Sequence, residues 1–453
     1  MSTTPHIDTE RLARAWRDSG DPNKHLLWDR ELPLSPAAQA QVVLDESTTI
    51  SPMPNYGSLI GVYLPWQYTS WIDESKSFHE TCYLGDWSWL RKYRITGPDA
   101  LRLLRDSVAN DVDNFEIGQI KHIISTRDDG FLIGDGVCLK LADDDFLCTG
   151  GVTCSEGMMF RSQGYDVTTS DESSGRFLFS VQGPTSIHVI ERAVGRSIRD
   201  IRFARFAEAD IDGRTVRLVR IGMSGELGYE VHGDSADASV VWQALKTAGA
   251  QFGLRQLGLR TMLLNHLESY IPTQFLDYVP AIFEGELEQV MSQGYRSPIT
   301  LGWGNLIDWN HEFAGREALR REMSEGILTT VTLEWSSEDC IDVMASLFRT
   351  DDEPYEPFGF PMAASEGGVP SPHGVFTVDG HQIGATVSRG YSVNYRVMLS
   401  IATIPRMFAE EGTELMVHYG SPERTKLIRA TVRPTPYKPD ARRVDVATLP
   451  SHL

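Results

Sequence analysis

Between Tyr63 and Leu90 the chain gathers Trp66, Trp71, Trp87 and Trp89 among further Tyr and Phe residues. Such a run serves a core or a domain seam by default; its sharper reading is an aromatic pocket for a flat ligand. The other chemistry-bearing residues are dispersed. Cys82, Cys138, Cys148, Cys154 and Cys340 form no C-x-x-C pair, and no His or Cys cluster has zinc spacing. Reduced thiols and no metal site are therefore expected. Cys148 and Cys154 are close in sequence and read as two semi-buried thiols. Gly222-x-x-Gly225-x-x-Gly228 departs from G-x-G-x-x-G and lies in a turn between two strands, which excludes a Rossmann nucleotide site. The patterns G-x-x-x-x-G-K-[ST], G-x-S-x-G and H-E-x-x-H do not occur, so the common cofactor and hydrolase signatures are missing.

Lys and Arg total 42 against 62 Asp and Glu, a formal net charge of -20. Such a surface repels phosphate backbones and acidic membranes, so neither nucleic acid nor membrane is expected as a partner. A few Arg side chains in a local pocket still suffice to capture a carboxylate. No apolar run is long enough to span a bilayer, and MSTTPHIDTERLARAWRDSG lacks the apolar stretch of a signal peptide, which points to the cytoplasm. A chain of 453 residues has about three domains' length and can bury a large core without staples.

The elements that must position any site alternate in character. RITGPDALRLLRD reads as a strand, a Gly97-Pro98 turn and a helix capped by Asp99. KHIISTRDDGFLIGDGVCLKL reads as two strands around an Asp-Asp-Gly turn. RFLFSVQGPTS repeats the strand, Gly-Pro turn and helix, TVRLVRIGMSGELGYEVHG gives two strands, and ASVVWQALKTAG is helical. This mixture favours α+β over a doubly wound sheet. After Ile327 come short strands (LTTVTLEW, GVFTVDGHQIGATVSRGYS, VMLSIATI, ELMVHYG, KLIRATVRP) with little helix signal, a separate all-β or barrel-like unit. The acidic segment RTDDEPYEPFGFP reads as a surface loop whose aromatics pack in part.

Six blocks in order resemble the glycine-cleavage T-protein superfamily. They are GPDALRLLRDSVANDVDNFEIGQIKHIISTRDDGFLIGDG, SVQGPTS, IGMSGELGYEVHG, LGLRTMLLNHLES, EFAGREAL and VDGHQIGATVSRGYS, and the resemblance as a whole runs from about Tyr63 to Arg433. YLPWQYTSWIDESKSFHETCYLGDWSWLRKYRITG, NHLESYIP and the Gly134-Asp135-Gly136 run are similar to the vanillate- and syringate-type O-demethylase branch. The flavin domain and the K-G-C-Y-x-G-Q motif of other relatives are absent. The resemblance implies a three-domain cloverleaf around a central folate channel. Its parts are an extension over 1–50, a discontinuous folate-binding α+β domain over 51–175 and 255–325, a ferredoxin-like α+β domain over 176–254, and a β-barrel-like domain over 326–453.

The activity so implied is transfer of a methyl group from a methoxylated aromatic acid to N5 of tetrahydrofolate, without metal or flavin. Other folate-linked C1 transfers, from N-methyl, S-methyl or aminomethyl donors, and a non-catalytic folate-binding protein are the alternatives. Glu230 falls on the family's strand glutamate, whose two oxygens suit the pterin N–H edge. Arg260 matches the helix arginine near the folate or the reacting centre. Glu268 matches a later helix glutamate after a two-residue insertion, and reads equally as pterin contact or structural ion pair. The first acid of the T-protein pair falls on Ile133, which argues against aminomethyl chemistry and leaves Asp135 for folate or turn contact. Trp89 replaces the family's histidine, and Phe283 stands nearest the demethylase tyrosine, with Tyr270 and Tyr278 as substitutes. The expected catalytic set is therefore Arg260, Tyr278 and Asp135. The expected folate contacts are Glu230, Arg260, Glu268 and Asp135, and the aromatic slot is Trp89, Phe283 and Tyr270. Arg91, Arg94, Lys121 and His122 are candidates for the substrate carboxylate or the folate glutamate tail.

Overall fold

A computed structural model describes residues 56–59, 62–151, 158, 162–262, 264–359, 372–421 and 423–452. The expected extension over 1–50 and Cys154 lie outside these residues. Three larger sheets carry the chain, with a short hairpin, Tyr56–Leu59 with Val62–Pro65, ahead of them.

The first sheet is antiparallel, in the order Ile120–Thr126, Leu132–Ala142, Asp145–Gly150, Arg91–Thr96, Thr168–Asp171. Its opening hairpin is the one that the Asp-Asp-Gly turn predicts, with Gly130 at φ 88°. Helix Ala100–Ser107 packs Leu103 and Leu104 onto it. Asp99 precedes this helix without a cap bond; its carboxylate instead binds Arg102 and accepts the amide of Asp166. The buried thiols of Cys138 and Cys148 face each other across neighbouring strands, their sulfurs 3.1 Å apart.

The second sheet runs Phe206–Ile211, Arg214–Val219, Gly228–Asp234, Arg176–Gln182, Tyr83–Asp86, Arg255–Leu257, with only the last pair parallel. Alternation along a strand sends neighbours to opposite faces. Tyr229, Val231, Phe177 and Phe179 therefore pack beneath helices Ser186–Val194 and Ala238–Gly249. Glu230 and His232 share the other face with Ser180, Gln182 and Tyr83. That face is buried too, against helix Trp71–Glu80 and a cluster including Phe78, Trp87 and Met262. Gly85 is required there: a Cβ would fall 2.1 Å from the Trp87 ring.

Strands Leu328–Trp335, Val397–Pro405, Gln382–Ser392, His373–Thr377, Glu414–Ser421 and Arg424–Arg433 close into a barrel, which confirms the all-β expectation for this region. Beside it sits helix Ser337–Ser346, capped by Ser336 accepting the amide of Asp339. Tyr355 and Phe358 of the acidic loop pack on the barrel core.

A buried carboxylate is among the contacts that fasten the barrel to the body. Glu268, on helix Leu264–Ser269, has no exposed surface and lies 2.7 Å from His79 Nε2. It also accepts from Ser392 Oγ at 2.6 Å and from Asn394 Nδ2 at 3.3 Å. Losing one partner of such a buried network leaves the others desolvated without compensation. Glu268→Ala should therefore lower the unfolding free energy by about 3 kcal/mol, measured by urea denaturation. An unchanged midpoint would mean that other contacts hold the barrel.

Candidate functional site

Two polar clusters are built into the sheets, and each contains residues singled out by sequence. The first is centred on Asp135. His122 Nε2 lies 2.8 Å from Asp135 Oδ2, and the Tyr278 hydroxyl donates to Asp135 Oδ1. His122 and Asp135 come from the two strands of the first hairpin, where Asp135 stands opposite Ile124, two residues from His122. Diagonal cross-strand neighbours are within reach of long side chains. Asn110 fixes this strand by bridging its backbone, donating to the His122 carbonyl at 2.8 Å and accepting from the Ile124 amide at 2.7 Å. The flanking glycine matters as well. A Cβ on Gly136 would sit 2.5 Å from the Thr149 carbonyl, so the neighbouring strand approaches as closely as it does only beside glycine.

Tyr278 arrives from a different part of the chain, the loop after Ser269. Two aromatic residues in this loop have left-handed backbone, Tyr270 at φ 44° and Phe275 at φ 65°. Such conformations cost on the order of 1 kcal/mol or more each and persist where surrounding bonds dictate them. Here the bonds are identifiable. Asp277 accepts from the Thr273 amide at 2.7 Å and from Ser388 Oγ of the barrel at 2.6 Å. Burial pushes its carboxyl up to about 6. His266 Nδ1 meets Thr273 Oγ1 at 2.6 Å, and the Phe275 amide donates to the Tyr278 carbonyl. Trp303 closes the arrangement, edge-on to both His122 and Tyr278 at 4.7 and 6.3 Å between ring centroids.

The second cluster is centred on Glu230. One carboxylate oxygen lies 2.9 Å from His232 Nε2, and both residues are buried. Its other oxygen carries no hydrogen bond among the described residues. Ser180 and Tyr83 lie on the same face of the sheet, and Asn265 Nδ2 donates to the Tyr83 hydroxyl at 2.9 Å. Asn265 Oδ1 is buried with no partner among the described residues. The Tyr83 ring stacks on Trp87, and Trp89 packs into the same cluster with its indole N–H unsatisfied. Lys92 is buried alongside. Its ammonium donates to the Ser88 and Leu90 carbonyls at 2.8 and 2.7 Å. Burial pulls it down to about 8, against the pull of the Asp86 and Glu230 charges. Burial likewise holds His232 below its ordinary range, so its ring is a neutral donor to Glu230.

The other sequence-singled residues are distributed as follows. Arg260 bonds Gln67 at 3.1 Å and lies over the Trp71 ring, on a turn pinned by Glu74, which accepts the amides of Tyr68, Thr69 and Gly258. Glu268 holds His79, Ser392 and Asn394, one helical turn after Asn265. The Tyr270 hydroxyl donates to the Leu301 carbonyl and is held above its usual range by burial. Phe283 packs against Val279, Ala281 and Tyr295. Arg94 pairs with Asp145 and Glu172, Arg91 with Asp171, and Lys121 with Asp111, so these cations are already engaged by acids. Sequence reasoning missed His232, Asn265 and Lys92. For His232 a signal existed, since the i, i+2 spacing from Glu230 puts both on one face of a strand. A solvent-open cleft of about 820 Å³ between the two helices of the second sheet, lined by Arg192, Ser239 and Gln243 among others, contains none of these residues. Among the described residues no group of His, Cys, Asp or Glu is arranged to hold a metal ion, and no helix is long and apolar enough to cross a membrane.

Comparison with known proteins matches this architecture. Residues 54–281 match the model of the GCVT N-terminal domain. The chain is 34% identical to sesamin methylene transferase of Sinomonas sp. (strain No.22), over 86% of this chain and 94% of that protein. It is 31% identical to syringate O-demethylase of Sphingobium sp. (strain NBRC 103272 / SYK-6), over 84% and 91%. The crystal structure of the glycine cleavage system aminomethyltransferase T from Bartonella henselae superposes with a TM-score of 0.70, at 18% identity, over 90% of this chain and 98% of that one. The chain therefore belongs to the T-protein (GCVT) superfamily, the folate-dependent methyl- and aminomethyltransferases, and has aryl O-demethylase relatives. Tetrahydrofolate is the co-substrate of such enzymes. The free oxygen of Glu230 and the orphaned Asn265 Oδ1 are acceptors that fit the N–H edge of a pterin.

Two outcomes follow. Glu230→Gln should weaken tetrahydrofolate binding roughly tenfold or more, the worth of a charge-assisted hydrogen bond, measured by calorimetric titration. An unchanged affinity would remove Glu230 from the folate site. Burial depresses His266 from 6.5 to about 4. The unfolded chain therefore binds this proton first, and the contribution of the neutral ring is lost as pH falls from about 6.5 toward 4. Urea stability should drop by about 2 kcal/mol more in the parent than in His266→Gln between about pH 7 and 5; parallel profiles would contradict the shift.

Proposed function

We propose that this protein transfers a one-carbon unit from an aryl ether, in the first instance the methoxyl of an aromatic acid, to N5 of tetrahydrofolate, releasing a phenol. The observation that carries the reading is the buried Tyr278 hydroxyl bonded to Asp135. An aryl-ether carbon is displaced from an oxygen that must leave as phenol or phenolate, and a phenolic donor matched in acidity to that oxygen serves it well. Phe283 has no proton to give, and Tyr278 supplies one from the neighbouring loop. Likeness to syringate O-demethylase and sesamin methylene transferase over more than four-fifths of the chain supports the same class of donor.

When bound, folate supplies the nucleophilic nitrogen. The protein's own work is alignment and charge. In this reading Glu230, oriented by His232, anchors the pterin, with Asn265 beside it. Trp89 forms the aromatic slot with Tyr83 and Trp87. Arg260 faces the folate or the charge developing on the departing oxygen. A methylene-bridged donor is the second reading, favoured by the 34% identity to sesamin methylene transferase and by the change to Trp89.

The test is incubation with tetrahydrofolate and vanillate, syringate, methoxybenzoates, sesamin or dimethylglycine, with mass spectrometry of the folate. A 5-methyl product from a methoxylated acid is expected. A methylene product from sesamin alone would establish the second reading, and no product from any aryl ether would end both. Tyr278→Phe should lower kcat roughly a hundredfold with little change in KM.

A further inference from the structure

We propose that His122 is the port through which solvent returns the proton that Tyr278 gives to the departing aryl oxygen, with Asp135 carrying it between them. The inference rests on the aryl-ether reading above and assigns that site a residue which the reaction itself does not touch. Three observations support it. First, the groups stand in single file: Tyr278 donates to one oxygen of Asp135, and His122 Nε2 lies 2.8 Å from the other. Second, exposure rises along the file. Tyr278 is 1% exposed, whereas the side chains of Asp135 and His122 retain 20% and 29%. Third, the imidazole is held rather than free, edge-on to Trp303 at 4.7 Å and with its own carbonyl fixed by Asn110.

The proton balance is closed. The bond from the one-carbon unit to the aryl oxygen breaks and its electron pair stays on that oxygen; the single hydroxyl proton of Tyr278, which points to Asp135 in the resting structure, turns to that oxygen and is transferred. The tyrosinate is reprotonated through Asp135 by the His122 imidazolium, and the imidazole takes a proton from water. The new carbon–nitrogen bond forms as folate N5 releases a proton to solvent, so nothing accumulates over a cycle. Histidine suits the port because its ring has two nitrogens, so one can face Asp135 while the other exchanges with water. Removal of the port leaves the first proton in place and slows only its replacement.

The experiment is rapid-quench measurement of phenol formation from the best aryl-ether donor and tetrahydrofolate. In His122→Gln the amide still donates to Asp135 but relays no proton. This variant should release about one equivalent of phenol per enzyme at close to the parent rate, then cycle about tenfold more slowly or worse. Imidazole added to His122→Ala should restore cycling. A His122→Gln enzyme that cycles at the parent rate would overturn the proposal. So would a first turnover slowed as much as the later ones with no imidazole rescue, because that marks a purely structural residue. Failure of the aryl-ether reading is distinguishable, since it shows as no phenol from the parent enzyme. Independently of turnover, the ring-nitrogen NMR resonance of His122 should move in Tyr278→Phe; an unmoved resonance would contradict coupling along the file.

Discussion

A carboxylate that accepts hydrogen bonds from two sides fixes two side chains at once, and Asp135 does this for segments far apart in the chain. One donor, His122, is its neighbour across a hairpin; the other, Tyr278, belongs to a loop more than a hundred residues later. The first sheet, the loop after Ser269 and the barrel beneath it must all hold their positions for that carboxylate to be shared. Gly136 beside Asp135 lets the neighbouring strand come close, and Asp277 ties the loop to Ser388 of the barrel. The barrel in turn is held by Glu268. Backbone strain at Tyr270 and Phe275 is tolerated because these polar anchors leave the loop no relaxed alternative.

The second sheet solves a different problem. An acidic strand residue, Glu230, is kept on a buried face without a salt bridge to Lys or Arg among the described residues. One of its oxygens is met by neutral His232, and buried Lys92 contributes charge at longer range while donating to two carbonyls. The carboxylate is thus stabilised on one side and open on the other. That asymmetry contrasts with the ion pair of Arg199 and Glu191, where both carboxylate oxygens are taken by one guanidinium.

Local elements were legible where a short pattern dictates them. The hairpin around Gly130, the helix Ala238–Gly249 and the barrel strands follow from alternation, helical periodicity and turn residues. The helix Ser337–Ser346 was not read among the strands on either side of it; its signal was Ser336 three residues before Asp339, a capping pattern. Asp99 carries the residue type of a cap, yet tertiary partners Arg102 and the Asp166 amide won its carboxylate. In the site, Asp135 and Tyr278 were singled out from sequence but not as partners. Their meeting depends on a loop path set by His266, Thr273 and Ser388, none of which announces itself in one dimension. Lys92 was invisible for a related reason: a lysine in a strand is ordinarily solvated, and only the packed sheet behind it makes it buried.

In the proposed reaction the Asp135–Tyr278 pair carries charge away from the departing aryl oxygen. The most direct measurement is the dependence of the single-turnover rate on leaving-group acidity, across ring-substituted methoxybenzoates, in the parent and in Tyr278→Phe. Proton donation by Tyr278 predicts a shallow dependence in the parent that becomes steep in the variant, where phenolate must depart unaided. Equal slopes in the two enzymes would contradict it.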